Sequence, residues 1–336
     1  MFARKTYTPV MAIVGFLGSG KTTLLNHLLK NSSGLKIGVI VNDFGDINID
    51  SMLVARQTDQ ELELSNGCIC CSLEGNSLDD AIGQLAHPGS TIDYIIIEAS
   101  GLAEPKELLR LLINSKNPHA RFDSLVGVID AETILDVAKK HPAFIEQLEL
   151  ADILILNKCD LVTKKQLEEV MGYLRFINSD VRIIQTEHGK VDARLLLSPD
   201  SSNSAVSQQL SLGEEHDHST HLHHTYSKFS FSESRPIDPL KFEKFVASIP
   251  NTVYRMKGFV NFGMKGLGQK FLFQLVGNRH ELKLDEWMPG NQPKTELVVI
   301  GTGFDEDQIK KSLHALVDEN PDDLNNETIM DILKYR

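Results

Sequence analysis

An apolar run, VMAIVG at residues 10–15, leads without a break into FLGSGKTT. Gly15, four intervening residues, then Gly20, Lys21 and Thr22 complete the Walker A pattern. Few short stretches restrict a fold as tightly. The pattern calls for a buried strand, a loop whose backbone N–H groups aim at phosphate, and a helix that starts at once. Gly15, Gly18 and Gly20 let the loop turn, with Ser19 inside it and Thr23 just past it. Lys21 supplies a point charge for the β- and γ-phosphates, and Thr22 a hydroxyl for Mg²⁺. LLNHLLK then continues as the helix whose N-terminus favours the anion. A plain Gly/Ser turn is the competing reading, and the complete motif in this setting argues against it.

Further apolar runs follow at the spacing of an α/β fold. Residues 36–42 (KIGVIVN) read as a parallel strand covered on both faces and open into NDFGDINID, where Asp43, Asp46 and Asp50 crowd a loop. Carboxylates just past a strand end can meet Mg²⁺, attacking water or a second metal; a solvated acidic loop is the alternative. Residues 92–101 (IDYIIIEASG) place Glu98 at the end of a third strong strand, the position from which a carboxylate serves Mg²⁺ or its water. Gly101 is placed to sense the γ-phosphate through its N–H. Lys21, Glu98 and Asp43 are therefore the candidate catalytic residues.

Strands at 124–130 and 151–157 come next, and the second delivers NKCD, Asn157 to Asp160. In P-loop GTPases, Asn-Lys-x-Asp reads guanine: the Asp carboxylate accepts from the ring N–H and exocyclic amine, and the Lys stem packs along the base. Asn157, Lys158 and Asp160 thus favour GTP over ATP. Cys159 reads as a small filler rather than a ligand. Residues 163–177 form a helix with Leu167, Val170, Met171 and Leu174 on the sheet-facing side, and a sixth strand near 181–185 closes the domain.

The stretch SNGCICCSL holds Cys68, Cys70 and Cys71, three of the four cysteines in 336 residues. That clustering suits a reducing compartment, hence the cytoplasm, and a metal or thiol site rather than a disulfide framework. Three thiolates make a soft set for Zn²⁺, which usually takes four ligands. The fourth is open between Glu61, Glu63, Asp43, Asp46, a histidine, water or a client protein. Redox chemistry and plain packing are the competing readings. A net charge of −12 argues against broad nucleic-acid or anionic-membrane binding, and no apolar run reaches the roughly 18 residues of a membrane span.

Composition shifts near residue 198. SPDSSNSAVSQQLSLGEEHDHSTHLHH is polar and reads as a flexible linker over 198–224. It carries His216, His218, His221, His223 and His224, either a solvated cluster or an auxiliary site for Zn²⁺, Co²⁺ or Ni²⁺. From 225 to 334 a smaller α+β unit is expected. Strands fall at YSKFSFSE, TVYRMKGFV, KFLFQLV and ELVVIG, and helices at PLKFEKFVASI and DEDQIKKSLHALV. Arg255, Lys257 and Arg279 read as solvated or facing an acidic partner, and Trp287 as an interface anchor or core residue.

GFLGSGKTTLLNHLL, NDFGDINID, GCICC, IIIEASGLAEP and NKCD together resemble the CobW family of P-loop GTPases. The likeness covers nearly all of residues 8–190 and extends through RMKG and GTGFD into the second unit. It implies a P-loop GTPase domain over 8–197, with a mostly parallel sheet, and a CobW C-terminal-like α+β domain. It also implies metal-dependent GTP hydrolysis to GDP, with Mg²⁺ as cofactor, and delivery of a transition metal to a client protein. Zinc is the expected metal and cobalt the alternative. Assembly of a metalloenzyme, GTP-responsive sensing and storage are alternative roles, and a homo-oligomer is compatible with all of them. The family's CxCC motif matches Cys68, Cys70 and Cys71. Where the family usually has NEFG this chain has NDFG, so Asp43 keeps the charge but is one methylene shorter.

Overall fold

The computed structural model describes residues 7–32, 34–42, 69–72, 78–99, 105–197, 226–263, 269–286 and 293–318. The chain divides into two units, before and after the step from residue 221 to 222. The acidic-loop residues Asp43, Asp46 and Asp50, together with Glu61, Glu63, Cys68 and Gly101, lie outside the described residues, as do the linker with its five histidines and Trp287.

In the first unit β1 (Thr8–Gly15) is buried along its whole length, and α1 (Lys21–Lys30) starts after five intervening residues. The remaining strands are β2 (Ile37–Asn42), β3 (Ile69–Ser72), β4 (Tyr94–Ala99), β5 (Ala120–Asp130), β6 (Ile153–Asn157) and β7 (Arg182–Gln185). They form a seven-stranded sheet in the order β3-β2-β4-β1-β5-β6-β7, with every pairing parallel. Parallel pairing demands a crossover between consecutive strands, and helices on both faces account for the near-continuous apolar runs of β1, β4 and β6.

Among the described residues, two apolar clusters pack on the sheet beyond the buried face of α1. One joins Val10, Ile40 and Ile97 to α2 (Leu78–Leu85) and to Leu108 and Leu112 of α3 (Pro105–Ile113). The other joins Ile129, Leu154 and Leu156 to α4 (Ile134–Lys140), α5 (Pro142–Leu148) and α6 (Lys164–Ile177). On α6, Val170 and Leu174 are buried and Leu167 and Met171 pack beside them, the face expected from their spacing. Thr163 starts α6 through a capping box with Gln166. A short α7 (Ala193–Leu196) closes this unit.

The sheet has one strand more than the six read from the sequence. The addition is β3, a four-residue edge strand that contains two of the motif cysteines.

The second unit is an antiparallel five-stranded sheet in the order β11-β10-β9-β12-β8. Its strands are β8 (Tyr226–Glu233), β9 (Val253–Val260), β10 (Gln269–Val276), β11 (Arg279–Glu286) and β12 (Thr295–Thr302). Helices α8 (Pro239–Ser248) and α9 (Glu306–His314) contribute Phe242, Phe245, Ile309 and Leu313 to a core with Phe229, Phe231, Met256, Phe273 and Val299. Arg255 and Lys257, read as solvated or facing an acidic partner, are buried, at 1% and 7% exposure, which excludes the solvated alternative. They sit on β9, flanked by β10 and β12, where a strand has little edge to show to water. Among the described residues no helix is long and apolar enough to cross a membrane.

Candidate functional site

The described motif residues of the first unit lie at the carboxyl ends of the parallel strands, in the loops after them or, for Lys21, Thr22 and Thr23, in the first turn of α1, while Cys70 and Cys71 lie within β3. The carboxyl ends are where open α/β sheets bind ligands, at the point where the strand order reverses. Here the reversal falls at β1, between β4 and β5.

The P-loop after β1 is shaped by close approaches. A Cβ on Gly15 would meet Val128 O at 2.3 Å, and one on Gly20 would meet Asn157 Nδ2 at 2.2 Å. Gly20 also stands at φ +103, in the left-handed region that L-residues avoid. Lys21 is buried and donates through Nζ to the carbonyls of Gly15 (3.1 Å) and Phe16 (3.3 Å), so its ammonium lies within the loop that would hold phosphate. Ser19 Oγ is buried without a hydrogen-bond partner among the described residues, a state that an arriving anionic oxygen would relieve. Gly18 and Thr23 are exposed on the rim. The Phe16 ring packs on His141 and Phe144, tying the start of the loop to the α4–α5 junction.

Thr22 and Glu98, 76 residues apart in sequence, come together here. Thr22 Oγ1 donates to Glu98 Oε1 at 2.6 Å, and Glu98 is 2% exposed at the end of β4. Two hard oxygen donors beside a phosphate loop suit Mg²⁺, which takes few protein ligands and several waters. Thr22 and Glu98 are the residues that would hold it.

On the other side of β1, Asn157 is buried and works as a brace. Its Nδ2 donates to Ser19 O at 3.0 Å, and its Oδ1 accepts from Gly189 N–H at 2.9 Å. The amide therefore clamps the P-loop to the turn after β7. Lys158, in a left-handed conformation at φ 60, donates through Nζ to Asp130 Oδ2 at 2.7 Å. Asp160 follows in a single turn of 3₁₀ helix, Cys159–Leu161, with its side chain 26% exposed and His188 Nε2 standing 4.0 Å from Oδ2. Cys159 packs at the edge of the α6 cluster, and burial pushes its thiol up, as a filler requires. Sequence reasoning missed Asp130, His188 and Gly189. The one available signal was that Asp130 ends an apolar strand, as Glu98 does.

Of the cysteine motif, the structure describes the backbone of Cys70 and Cys71 in β3. These pair with Val39 and Ile40 of β2, and the next pair is Ser72 with Val41. Val41 in turn pairs with Glu98. Among the described residues no group of three or more His, Cys, Asp or Glu gathers as a metal cluster.

Residues 9–185 match the CobW/HypB/UreG nucleotide-binding domain, and residues 226–317 match the cobalamin synthesis protein cobW C-terminal domain. The chain belongs to the CobW family. The zinc chaperone CobW of Sinorhizobium sp is 31% identical over 354 residues, covering 92% of this chain and 97% of its own length. The zinc chaperone YjiA of Escherichia coli (strain K12) is 27% identical, covering 91% and 98%. The zinc-regulated GTPase metalloprotein activator 1 of Dictyostelium discoideum is 32% identical over 56% of this chain, which spans about half (48%) of that relative's length. A crystal structure of Zn(II)-bound YjiA GTPase from E. coli aligns over 93% of this chain and 99% of its own at 22% identity. Its TM-score of 0.44 is too low to bear on the fold.

Proposed function

We propose that this CobW-family chain is a GTP-hydrolysing metallochaperone whose cargo is zinc, held at Cys68, Cys70 and Cys71 and passed to a client protein. The observation that carries the reading is the strand register. Ser72, next to the cysteine pair, lies in one row with Val41 and Glu98. Strands are about 4.8 Å apart, so the end of the cysteine strand lies roughly 10 Å across the sheet from the carboxylate that touches Thr22.

Lys21, Ser19 and the loop N–H groups bind the phosphates, Asp160 and Lys158 read the base, and Glu98 positions water. Magnesium, when bound, offsets charge on the phosphates. Nucleotide state and cargo affinity are then linked, and the linkage is reciprocal. The relatives named zinc chaperones support zinc as the cargo, and three soft thiolates suit it.

The test is Zn²⁺ competition at buffered free-ion concentration, with Co²⁺ as competitor, on the nucleotide-free, GDP-bound and GTP-analogue-bound protein. The expected result is a change in Zn²⁺ affinity of about 5- to 150-fold between nucleotide states, abolished by Cys70→Ser while GTP binding persists. Equal affinity in all three states would overturn the coupling, and unchanged affinity in Cys70→Ser would remove Cys70 from the ligand set.

A further inference from the structure

The guanine-reading motif leans on a residue outside it. Asp130 ends β5, directly beside Asn157 in the β5–β6 register. Its carboxylate is fixed at both oxygens: Oδ1 accepts from the Glu132 N–H at 2.9 Å, and Oδ2 from Lys158 Nζ at 2.7 Å. The Asp130 side chain is 9% exposed and that of Lys158 is 32% exposed. The lysine stem is therefore held at one end by a left-handed backbone and at the other by a buried carboxylate. A further backbone bond, from Ala131 N–H to Asn157 O at 2.9 Å, locks the turn after β5 to the start of the motif.

A lysine stem can cover an apolar ring face only while it stays extended, and an unheld stem loses that geometry to rotamer entropy. We infer that Asp130 is a positioning residue for base recognition: by anchoring Lys158 Nζ it keeps the lysine's methylenes extended as a fixed wall against the purine, and so sharpens the preference for guanine. This rests on the guanine reading of Asn157 to Asp160. Asp130 acts through Lys158 and leaves phosphate binding to the P-loop.

The test compares Asp130→Asn with the wild-type full chain for binding of GTP, ATP and inorganic tripolyphosphate, a probe with the phosphates and no base. Asp130→Asn is expected to weaken GTP about tenfold, to lower the GTP-to-ATP preference by a similar factor, and to leave tripolyphosphate affinity unchanged. Lys158→Met breaks the same ion pair from its more exposed side. It is expected to lower the preference equally, and the double variant no further; it carries the test if Asp130→Asn does not fold. A GTP-to-ATP preference that survives both substitutions would overturn the role of Asp130, as would equal losses for GTP and tripolyphosphate. Wild-type protein that binds ATP as tightly as GTP would overturn the guanine reading and this inference with it.

Discussion

Gly20 and Asn157 form a pair whose coupling can be worked out in advance. Gly20→Ala carries two costs. The left-handed backbone at φ +103 costs an L-residue roughly 1–2 kcal/mol. The new Cβ would also lie 2.2 Å from Asn157 Nδ2, so the amide must leave Ser19 O and Gly189 N–H. Each of those bonds contributes about 0.5–1.5 kcal/mol net, which brings the total to about 2–5 kcal/mol. Asn157→Ala loses the same two bonds without the backbone term, about 1–3 kcal/mol. In the double variant the amide is absent and the clash disappears, leaving only backbone strain to add. The double should therefore cost no more than Gly20→Ala alone, about 1–3 kcal/mol short of additivity.

The assay is thermal unfolding of the full chain with and without a GTP analogue. The transition that nucleotide raises reports on the P-loop unit. For a unit of this size 1 kcal/mol shifts Tm by about 2–4 °C, so Gly20→Ala should lower it by on the order of 10 °C. Additive losses in the double variant would refute the argument. So would a Gly20→Ala transition within about 2 °C of wild type.

Glu98→Gln keeps the shape and an acceptor for Thr22 but loses the charge. Turnover of GTP should fall about 100-fold while affinity for a GTP analogue changes far less, and parallel loss of both in steady-state and binding assays would argue for a purely structural role. In the second unit Arg235 forks onto Glu233 at 3.0 and 2.8 Å. The Arg235 side chain first, then its backbone N–H, hold the Glu233 carboxyl down to about 2 from an ordinary 4.5. Because the folded value lies below the unfolded one, the resulting stability is complete above about pH 4.5 and drains away as pH falls toward 2. Denaturant midpoints of wild type and Glu233→Gln should differ near neutrality and converge in acid, whereas a constant gap would exclude this linkage.

The parts of the fold legible in the sequence are those where an apolar run ends in a residue with a recognisable job. β1, β4 and β6 run into the P-loop, Glu98 and NKCD, and all three are buried along their length. β3 was missed because its four residues carry cysteines and a serine where a buried strand shows aliphatic residues, so the segment reads as a motif with no structure of its own. β11 was missed for the opposite reason: RHELKLDE is an edge strand whose charges mask its alternation, although Leu282 enters the core. Solvent was one of two readings for Arg255 and Lys257 because charge usually goes there, yet both are buried on a strand that is central in the second sheet. At the site, the reach of Asn157 to Ser19 spans 138 residues and that of Lys158 to Asp130 spans 28, and neither pairing has a signature in the linear chain.

The strand order also divides the chemistry. β1 and its phosphate loop sit at the reversal point. β4, β2 and β3 lie on one side with Glu98 and the cysteine strand, and β5, β6 and β7 lie on the other with Asp130, Asn157 and the turn holding Gly189. On the proposed function, base recognition and metal chemistry would lie on opposite sides of the phosphates. The base side is braced by side chains whose bonds close on one another through Asn157, Lys158 and Asp130. On the metal side, Thr22 in the first turn of α1 donates to Glu98. On that proposal, a nucleotide that differs only at its γ-phosphate would leave the base-side contacts alone and change the surroundings of Thr22 and Glu98. From Glu98 the route to the cysteine strand is two steps of sheet pairing, through Val41 to Ser72. Rigidity on the base side would then serve the proposed switch as well as affinity, because a base held in one place would direct the energetic difference between GTP and GDP toward β4 and β3.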